Sequence, residues 1–293
     1  MKPPPFSYHD PTNVEEVVAL LGSLENAKVL AGGQSLMPML NMRYVLPDHI
    51  IDLNKVEGLS YIRETENGIQ IGAMTRQREL EYSDIIQQKC PLMYEAIFQI
   101  GHRQTRNRGT IGGSLSHLDP AAELASVCAA LDAIVVATGK GGSKEIPFSD
   151  FPVGYMTPAL EADEIVTEVK IPVWSEGHGY AFVEFSRRHG DFAITSAAVL
   201  LEVDVQGKIS RSSLTVGGVA AAPVRMTEIE KSLIGLIPNE EKFREICEAC
   251  RGIDALGDVY ASSEYRQHLA AVLSRRALVK AYDRTQKRGN GSK

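Results

Sequence analysis

Two pairs of adjacent glycines constrain the fold of this chain more than any other feature of its sequence. The pair Gly32-Gly33 follows a short apolar segment in KVLAGGQSL (28–36), and the pair Gly112-Gly113 lies in NRGTIGGSL (107–115). Glycine adopts positive φ readily and lets a ligand approach the main chain, and consecutive N–H groups in such a turn form a concavity that favours anions. One pair is typical of a structural turn. Two pairs in matching contexts raise the hypothesis of a bound ligand, and on these residues alone the two interpretations have equal weight.

The ligand that best suits this pattern is a pyrophosphate. Neither run is a G-x-G-x-x-G or G-x-x-x-x-G-K-[ST] phosphate loop. In both runs a serine follows, Ser35 or Ser114, and adds a hydroxyl donor. Because a hydrogen bond to a charged group is worth about 1.5–3 kcal/mol, a few donors from each run would hold a dinucleotide without Lys or Arg on its phosphates.

Composition excludes several other classes of protein. The formal net charge of −6 over 293 residues argues against a general nucleic-acid or anionic-membrane surface. No window approaches the roughly 18 apolar residues of a membrane span, and the N-terminus MKPPPFSYHDP has no apolar core typical of a secretory signal.

The cysteines form no disulfide framework and suit a reducing compartment, so we expect a cytoplasmic protein. Cys247 and Cys250 fall on one apolar helical stripe and are predicted to be core residues rather than metal ligands.

The order of predicted elements indicates two domains. Short strands and helices alternate up to residue 171, and the segment PVWSEGHG (172–179) then loses apolar periodicity. We therefore predict a first domain at 1–175, with subdomains at about 1–55 and 56–175, and a second at 176–293. In the second domain strands precede helices, which predicts an antiparallel sheet covered by helices on one face.

Apolar periodicity and turn residues predict the following elements. The first domain has strands at 28–31, 50–53, 69–73, 133–138 and 165–171, and helices at 14–21, 91–100 and 120–131. The second has strands at 180–188, 197–205 and 213–218, and helices at 226–236, 240–251 and 263–283. The glycine-rich segment 139–144 and the pair Gln206-Gly207 are predicted hairpin turns.

The segment Asp119-Pro120-Ala121-Ala122-Glu123 contains further candidate functional residues. Asp before Pro before a helical run is typical of an N-cap with proline at the first helical position. Glu123 lies one turn later and is predicted either to accept a hydrogen bond from a sugar hydroxyl or to be solvated, with equal weight. His117 has no residue spaced to form a catalytic dyad or triad with it.

These residues match a known family. The runs AGGQSLMPMLNMR (31–43) and RNRGTIGGSLSHLDPAAEL (106–124) closely resemble the two FAD-binding motifs of molybdenum hydroxylase flavoprotein subunits. These are the carbon monoxide dehydrogenase medium chains and the related xanthine dehydrogenase FAD domains. The resemblance continues through 185–199 and 216–233 and so covers nearly the whole chain. It implies an α+β, two-domain flavoprotein. A vanillyl-alcohol-oxidase-type FAD-binding domain of two α+β subdomains would precede a C-terminal domain of antiparallel sheet covered by helices.

The resemblance also implies which residues hold FAD. Residues 31–36 and 110–114 would bind the pyrophosphate, Glu123 the sugar or ribityl hydroxyls, and Val166 would pack near the adenine. Ile100 and Gly101 would line the cofactor, with Asp191 and Phe192 near the isoalloxazine. Relatives of the xanthine dehydrogenase type carry a Lys where this chain has Ile194, which argues against NAD as electron acceptor. The full predicted set is Leu30, Ala31, Gly32, Gly33, Gln34, Ser35, Leu36, Ile100, Gly101, Thr110, Ile111, Gly112, Gly113, Ser114, Asp119, Glu123, Val166, Asp191 and Phe192.

The function implied by the resemblance is electron transfer within a heterotrimeric molybdenum hydroxylase. A small [2Fe–2S] subunit and a large molybdopterin subunit would be the partners, in a dimer of heterotrimers, and the FAD would pass electrons to an external acceptor. No catalytic or metal-binding residue is expected in this chain. One alternative is a self-sufficient flavin oxidase or reductase of the same fold, for which Tyr180, Arg187, Arg188 and His189 would be the acid–base candidates. Another is a non-catalytic nucleotide-binding or assembly protein.

Overall fold

The first part of the chain forms a small parallel sheet with two helices. The computed structural model describes residues 1–289, so residues 290–293 of the predicted C-terminal domain lie outside that range. The sheet has the order β1-β3-β2. Asn13 begins the first helix by accepting a hydrogen bond from the Glu16 N–H at 2.9 Å, as its sequence predicts. The elements are β1 (Ser7–His9), α1 (Val14–Ser23), β2 (Ala27–Leu30), α2 (Leu36–Asn41) and β3 (His49–Asp52).

A five-stranded antiparallel sheet and six short helices follow. The sheet has the order β4-β5-β10-β6-β7, and its β6–β7 hairpin turns between Gly139 and Gly142 as predicted. The strands of this sheet are β4 (Ile62–Thr65), β5 (Gly68–Gly72), β6 (Ile134–Gly139), β7 (Gly142–Pro147) and β10 (Ile165–Ile171). Two further strands, β8 (Pro152–Gly154) and β9 (Thr157–Pro158), pair with each other in a separate two-stranded sheet. The helices are α3 (Gln77–Tyr82), α4 (Asp84–Lys89), α5 (Pro91–Ile97), α6 (Arg103–Arg108), α7 (Ile111–His117) and α8 (Glu123–Ala130).

The C-terminal part is an antiparallel sheet of order β11-β12-β13-β14 with three helices. A turn containing Gly207, with φ of +75°, joins β12 to β13 as predicted. Cys247 and Cys250 are buried in the apolar core between this sheet and its helices, also as predicted. The elements are β11 (Gly179–Ser186), β12 (Ala193–Val203), β13 (Ile209–Gly217), β14 (Val224–Arg225), α9 (Thr227–Leu233), α10 (Glu240–Cys247) and α11 (Ser263–Gly289).

Both faces of the C-terminal sheet are covered, so the prediction of a single covered face was incomplete. One face packs on α9 and α11, and α10 packs on these two helices. The other face contributes Phe182, Ala198 and Leu200 to the apolar core of the preceding domain, where α5 and α8 pack against it. A half-buried ion pair also crosses this seam, because Arg284 of α11 donates to a Glu95 carboxylate oxygen of α5 at 2.6 Å.

The helix predicted at 120–131 begins three residues later than expected. Leu118 adopts a left-handed conformation, with φ of +51°, and ends α7, so the next residues form a turn. Asp119 stabilises that turn by accepting a hydrogen bond from the Ala121 N–H at 2.8 Å, whereas Ala122 occupies the N-cap position of α8. The prediction that Asp119 caps the helix was therefore wrong.

Candidate functional site

The first glycine run forms the turn between β2 and α2. Gly33 has a φ of +75°, a conformation that side chains disfavour. A Cβ on Gly32 would overlap the Arg108 carbonyl oxygen and lie 2.8 Å from the Gly109 Cα, so a glycine is needed for the two segments to touch. Within residues 1–289, no hydrogen bond uses the N–H groups of residues 32–35. These N–H groups are therefore available to an anionic ligand.

The second glycine run is helical, and the prediction of an anion-binding turn there was wrong. Gly112 and Gly113 lie in the first turn of α7, and neither has positive φ. Their N–H groups are engaged, because Gly112 donates to the Ala73 carbonyl at 2.8 Å and Gly113 to the Thr110 Oγ1 at 3.0 Å. The glycines instead permit close packing: a Cβ on Gly113 would lie 3.3 Å from the Ala31 Cβ. This run places α7 directly against the first run.

A polar network that sequence reasoning missed connects the two runs. The Arg76 guanidinium donates to the Arg108 carbonyl and to the Asn54 Oδ1. The Asn54 Nδ2 in turn donates to the Ala31 carbonyl at 3.1 Å. Burial, followed by the nearby Arg108 charge, lowers the pKa of Arg76 from its ordinary value. The Arg76 guanidinium is therefore held near the glycine turn through Asn54, and its charge adds positive potential for an anion there.

Other predicted residues lie within these two runs. Gln34 is exposed and donates through Nε2 to the Gly32 carbonyl at 3.2 Å. Leu30 ends β2, Ser35 and Leu36 begin α2, and Ile111 is fully buried in α7. Ser114 is half-buried in the same helix.

Val166 lies beneath α7, on β10. It is 4% exposed, and the carbonyl of its neighbour Thr167 accepts from the Ala73 N–H at 2.9 Å. Ala73 in turn accepts from Gly112, so β10 and α7 are joined through this one residue.

A second group of predicted residues lies where the two domains face each other. A Cβ on Gly190 would lie 2.6 Å from the His102 Cε1, and the rings of His102 and His189 are 6.2 Å apart. This contact brings Gly101 near the segment that contains Asp191 and Phe192.

The side chain of Phe192 is 74% exposed where the two domains face each other. On the side of the first domain, Arg106 donates to the Ile100 carbonyl at 3.0 Å and so holds the Ile100-Gly101 turn. An exposed aromatic ring beside a fixed main-chain turn is an arrangement that suits a planar ring system between the domains.

Glu123 is buried, so of its two predicted alternatives the solvated side chain is ruled out. It is 9% exposed at the start of α8, and burial raises its pKa to about 7, with the Asp119 charge contributing. Burial also lowers the pKa of His117. Sequence reasoning missed the nearby Glu184 of β11, whose pKa is raised to about 8 by burial and by the Glu123 charge.

Comparisons with known proteins identify the family. The family described as FAD binding domain in molybdopterin dehydrogenase matches residues 4–174, and the CO dehydrogenase flavoprotein C-terminal domain matches residues 180–281. The chain belongs to the family of FAD-binding medium subunits of molybdenum hydroxylases. The resemblance predicted from the two glycine runs is thereby confirmed, as are the two-domain α+β fold, the cofactor FAD and the class of oxidoreductase subunits.

Similarity to individual relatives extends over nearly the whole chain. The alpha subunit of the 6-hydroxypseudooxynicotine dehydrogenase complex of Paenarthrobacter nicotinovorans is 41% identical, over 98% of this chain and 97% of its own. The carbon monoxide dehydrogenase medium chain of Hydrogenophaga pseudoflava is 35% identical, over 97% and 99%. A solved structure of the Hydrogenophaga pseudoflava enzyme superposes with a TM-score of 0.94 at 36% identity, covering 97% of this chain and 99% of the other.

The residues at the first glycine run fit the FAD of this family. The free N–H groups of residues 32–35 and the main-chain approach permitted by Gly32 suit a pyrophosphate. Within the described part of the chain, no helix combines the length and apolar character that a membrane crossing requires.

Proposed function

We propose that this chain is the electron-transferring FAD subunit of a heterotrimeric molybdenum hydroxylase. It would take electrons from the [2Fe–2S] clusters of a small subunit and deliver them to an external acceptor, while a large molybdopterin subunit oxidises the substrate. The observation that supports this most is the end-to-end similarity to medium chains of such complexes, which spans both domains. The assembly we expect is a dimer of heterotrimers.

The first glycine run and α7 are proposed to hold the pyrophosphate. The N–H groups of residues 32–35 would donate to its oxygens, with the Ser35 and Ser114 hydroxyls as further donors. Each such bond to a charged group contributes about 1.5–3 kcal/mol. The main-chain N–H groups of Gly112 and Gly113 are not among the proposed donors, because they are engaged by Ala73 and Thr110.

The remaining predicted residues are proposed to hold the rest of the cofactor. Glu123 would accept from sugar or ribityl hydroxyls, Val166 would pack near the adenine, and Asp191 and Phe192 would face the isoalloxazine. When bound, FAD supplies the redox centre, and the chain supplies its position, its electrostatic surroundings and its exclusion from water. The lack of a Lys at Ile194 favours an acceptor other than NAD.

The domain division at 175/176 and the cytoplasmic location also belong to the proposal. The strand β10 of the first domain ends at Ile171, and β11 of the second begins at Gly179. The cysteines Cys90, Cys128, Cys247 and Cys250 are all buried free thiols, which suits a reducing compartment.

An affinity pull-down of the full chain from its native host tests the proposed function. Visible absorption and metal analysis of the eluate should reveal two further chains, molybdenum, iron and flavin. A yellow, metal-free single chain that oxidises a small molecule would overturn the proposal in favour of a self-sufficient oxidase. A colourless chain that takes up no added FAD would instead indicate a non-catalytic assembly protein.

A further inference from the structure

The turn between β11 and β12 presents two arginines beside the proposed position of the isoalloxazine. Arg187 and Arg188 are exposed in this turn, and so is Phe192 at its end. The turn is held by its own main chain, because the Arg188 carbonyl accepts from the Ser186 Oγ at 2.9 Å and from the Asp191 N–H at 3.0 Å. The two arginines therefore lie on a fixed turn at the mouth of the proposed cofactor site.

The first domain adds positive charge where it faces this turn. The start of α6 touches the turn through His102, and Arg103 is the exposed residue that follows. Segments 101–108 and 186–192 together contain five arginines and one acidic residue, in a chain whose formal net charge is −6. The charge of this region is thus opposite to that of the molecule as a whole.

The chain itself does not neutralise the exposed arginines of this region. Arg106 is buried and pairs with Glu81 at 3.0 Å. Among residues 1–286, Arg103, Arg187 and Arg188 form no ion pair. Exposed charges of one sign attract an oppositely charged partner and raise its association rate by about 10- to 10³-fold.

Exposed aromatic rings lie beside the arginines. The Arg187 guanidinium carbon is 5.1 Å from the centre of the Tyr260 ring, which is 64% exposed. Phe185 and Tyr265, both partly exposed, pack edge to face with their ring centres 6.3 Å apart. Arginine and tyrosine are among the residues most enriched at the centres of protein interfaces. This composition indicates a protein partner, since a small inorganic anion would need only the charges.

The aromatic part of this surface is held in place from within. Arg266 is 7% exposed and donates to the Gly218 carbonyl at 2.6 Å and to the Asp258 Oδ2 at 2.7 Å. The Asp258 Oδ1 accepts from the Tyr260 N–H at 2.8 Å. A surface that is fixed before binding loses less conformational entropy when a partner docks.

We propose that Arg103, Arg187, Arg188, Phe192 and Tyr260 form a docking surface, the arginine patch, for an electron-acceptor protein with an acidic surface. The inference rests on the proposed function, in which FAD passes electrons to an external acceptor. Two electrons leave each reduced FAD and reduce the docked acceptor, and the protons that are released go to water. Transient redox partners use interfaces below about 1,200 Å², and electrostatic attraction sets their encounter rate. Exposed, unpaired charges fit such a partner better than a permanent subunit interface, which is more hydrophobic.

Reoxidation of the reduced complex by two carrier proteins of opposite charge tests the arginine patch. The full complex is reduced anaerobically with dithionite, just to completion, and mixed with plastocyanin, an acidic blue-copper protein, or with cytochrome c, a basic haem protein. Plastocyanin should react faster at low ionic strength. Its second-order rate constant should fall at least about tenfold as the salt rises from about 0.01 to about 1 M, because the screening length drops from about 30 to about 3 Å. A rate constant that salt leaves unchanged, or a faster reaction with cytochrome c, would overturn the proposal.

Single substitutions separate the arginine patch from the total charge of the chain. Arg188→Gln should lower the low-salt rate constant with plastocyanin about fivefold, whereas Arg188→Lys keeps the charge and should retain it. Lys208→Gln is the matched control, because it removes the same charge at the far end of β12, a strand of eleven residues and about 36 Å. Equal effects of Arg188→Gln and Lys208→Gln would show that the patch is not the docking surface.

Two further measurements test the other possible occupants. Tyr260→Ala should lower the rate constant with plastocyanin severalfold and leave that with ferricyanide, a small anion, unchanged. Equal effects on both acceptors, or no effect on either, would exclude protein docking at this ring. Pull-down of the double variant Arg187→Gln, Arg188→Gln should recover the partner subunits, and loss of the small subunit would identify the patch as a subunit interface instead. A wild-type complex without FAD would refute the proposed function rather than the patch.

Discussion

The glycines of the two runs have different physical roles although the runs look alike in sequence. Gly33 is needed for its backbone conformation, with φ of +75°. Gly32 is needed because its Cβ position is occupied by the Arg108 carbonyl. Gly112 and Gly113 are needed for packing, since their N–H groups are already engaged by Ala73 and Thr110. The free N–H donors therefore belong to one run, and the other run supports it.

Replacing Gly33 with valine should abolish FAD uptake. A side chain in the left-handed region costs about 1–2 kcal/mol, and the Cβ would lie 3.2 Å from the Met37 Cγ, so the turn would rearrange and misdirect its N–H groups. FAD per chain after incubation with excess cofactor is the measurement. Gly22→Ala is the control, because no atom lies within 4 Å of that Cβ. Full flavin occupancy in Gly33→Val would contradict the role of this turn.

The burial of Glu123 could not be predicted from its local sequence. The sheet that covers α8 creates its environment. The strand residue Glu184, whose carboxyl interacts electrostatically with Glu123, lies far along the chain. A carboxylate at the first turn of a helix is equally typical of a solvated position, because the helix dipole favours it there. The sequence therefore identified the residue but left its environment open until the domains were brought together.

At the scale of elements, long elements were predicted and several short ones were missed. The strand predicted at 165–171 is β10 (Ile165–Ile171), because a run rich in β-branched residues is a strong local signal. The short strands β1, β4, β8, β9 and β14 were not predicted, and neither were the helices α2, α3, α4, α6 and α7. Each of these helices has only six or seven residues, too few to show a helical period. The start of α8 was misplaced because the left-handed Leu118 inserts a turn before it.

The stability of α7 should depend on its cap. Thr110 is 2% exposed and accepts from the Gly113 N–H, so Thr110→Ala should lower the free energy of unfolding by about 0.5–2 kcal/mol. Thr110→Ser keeps the hydroxyl and should recover most of that loss. Urea unfolding of the three proteins measures the difference. Equal destabilisation by Ala and Ser would show that the methyl group, rather than the cap, is what α7 requires.

At the scale of the whole molecule, the two domains share one apolar seam that the cofactor residues border. Phe182 and Leu200 of the C-terminal sheet pack with α5 and α8 of the FAD-binding domain. The polar end of the same sheet face carries Glu184 and Ser196. Because one face of the sheet packs against the FAD-binding domain beside the residues proposed to hold the cofactor, cofactor binding and domain association should be thermodynamically linked.

The ion pair of Glu95 should stabilise this seam in a pH-dependent way. Burial alone would raise the pKa of Glu95, but hydrogen bonds from Arg284 and Lys280 hold it below its ordinary value. A lowered folded-state pKa contributes stability above the unfolded-state pKa, and this contribution is lost as the pH falls through the folded-state pKa. The pair is therefore expected to contribute at neutral pH and to vanish in acid.

Glu95→Gln should lower the free energy of unfolding at pH 7 by about 1–3 kcal/mol, because a charged hydrogen-bond acceptor for Arg284 is lost. The fluorescence of Trp174, which is 3% exposed beside the seam, reports unfolding in urea. The difference from the wild type should shrink as the pH falls through the lowered Glu95 pKa. Glu228→Gln, which breaks an exposed pair with Lys231, should change stability by under about 1 kcal/mol at any pH. A pH-independent loss in Glu95→Gln would mean that packing, and not the ion pair, joins the domains at this position.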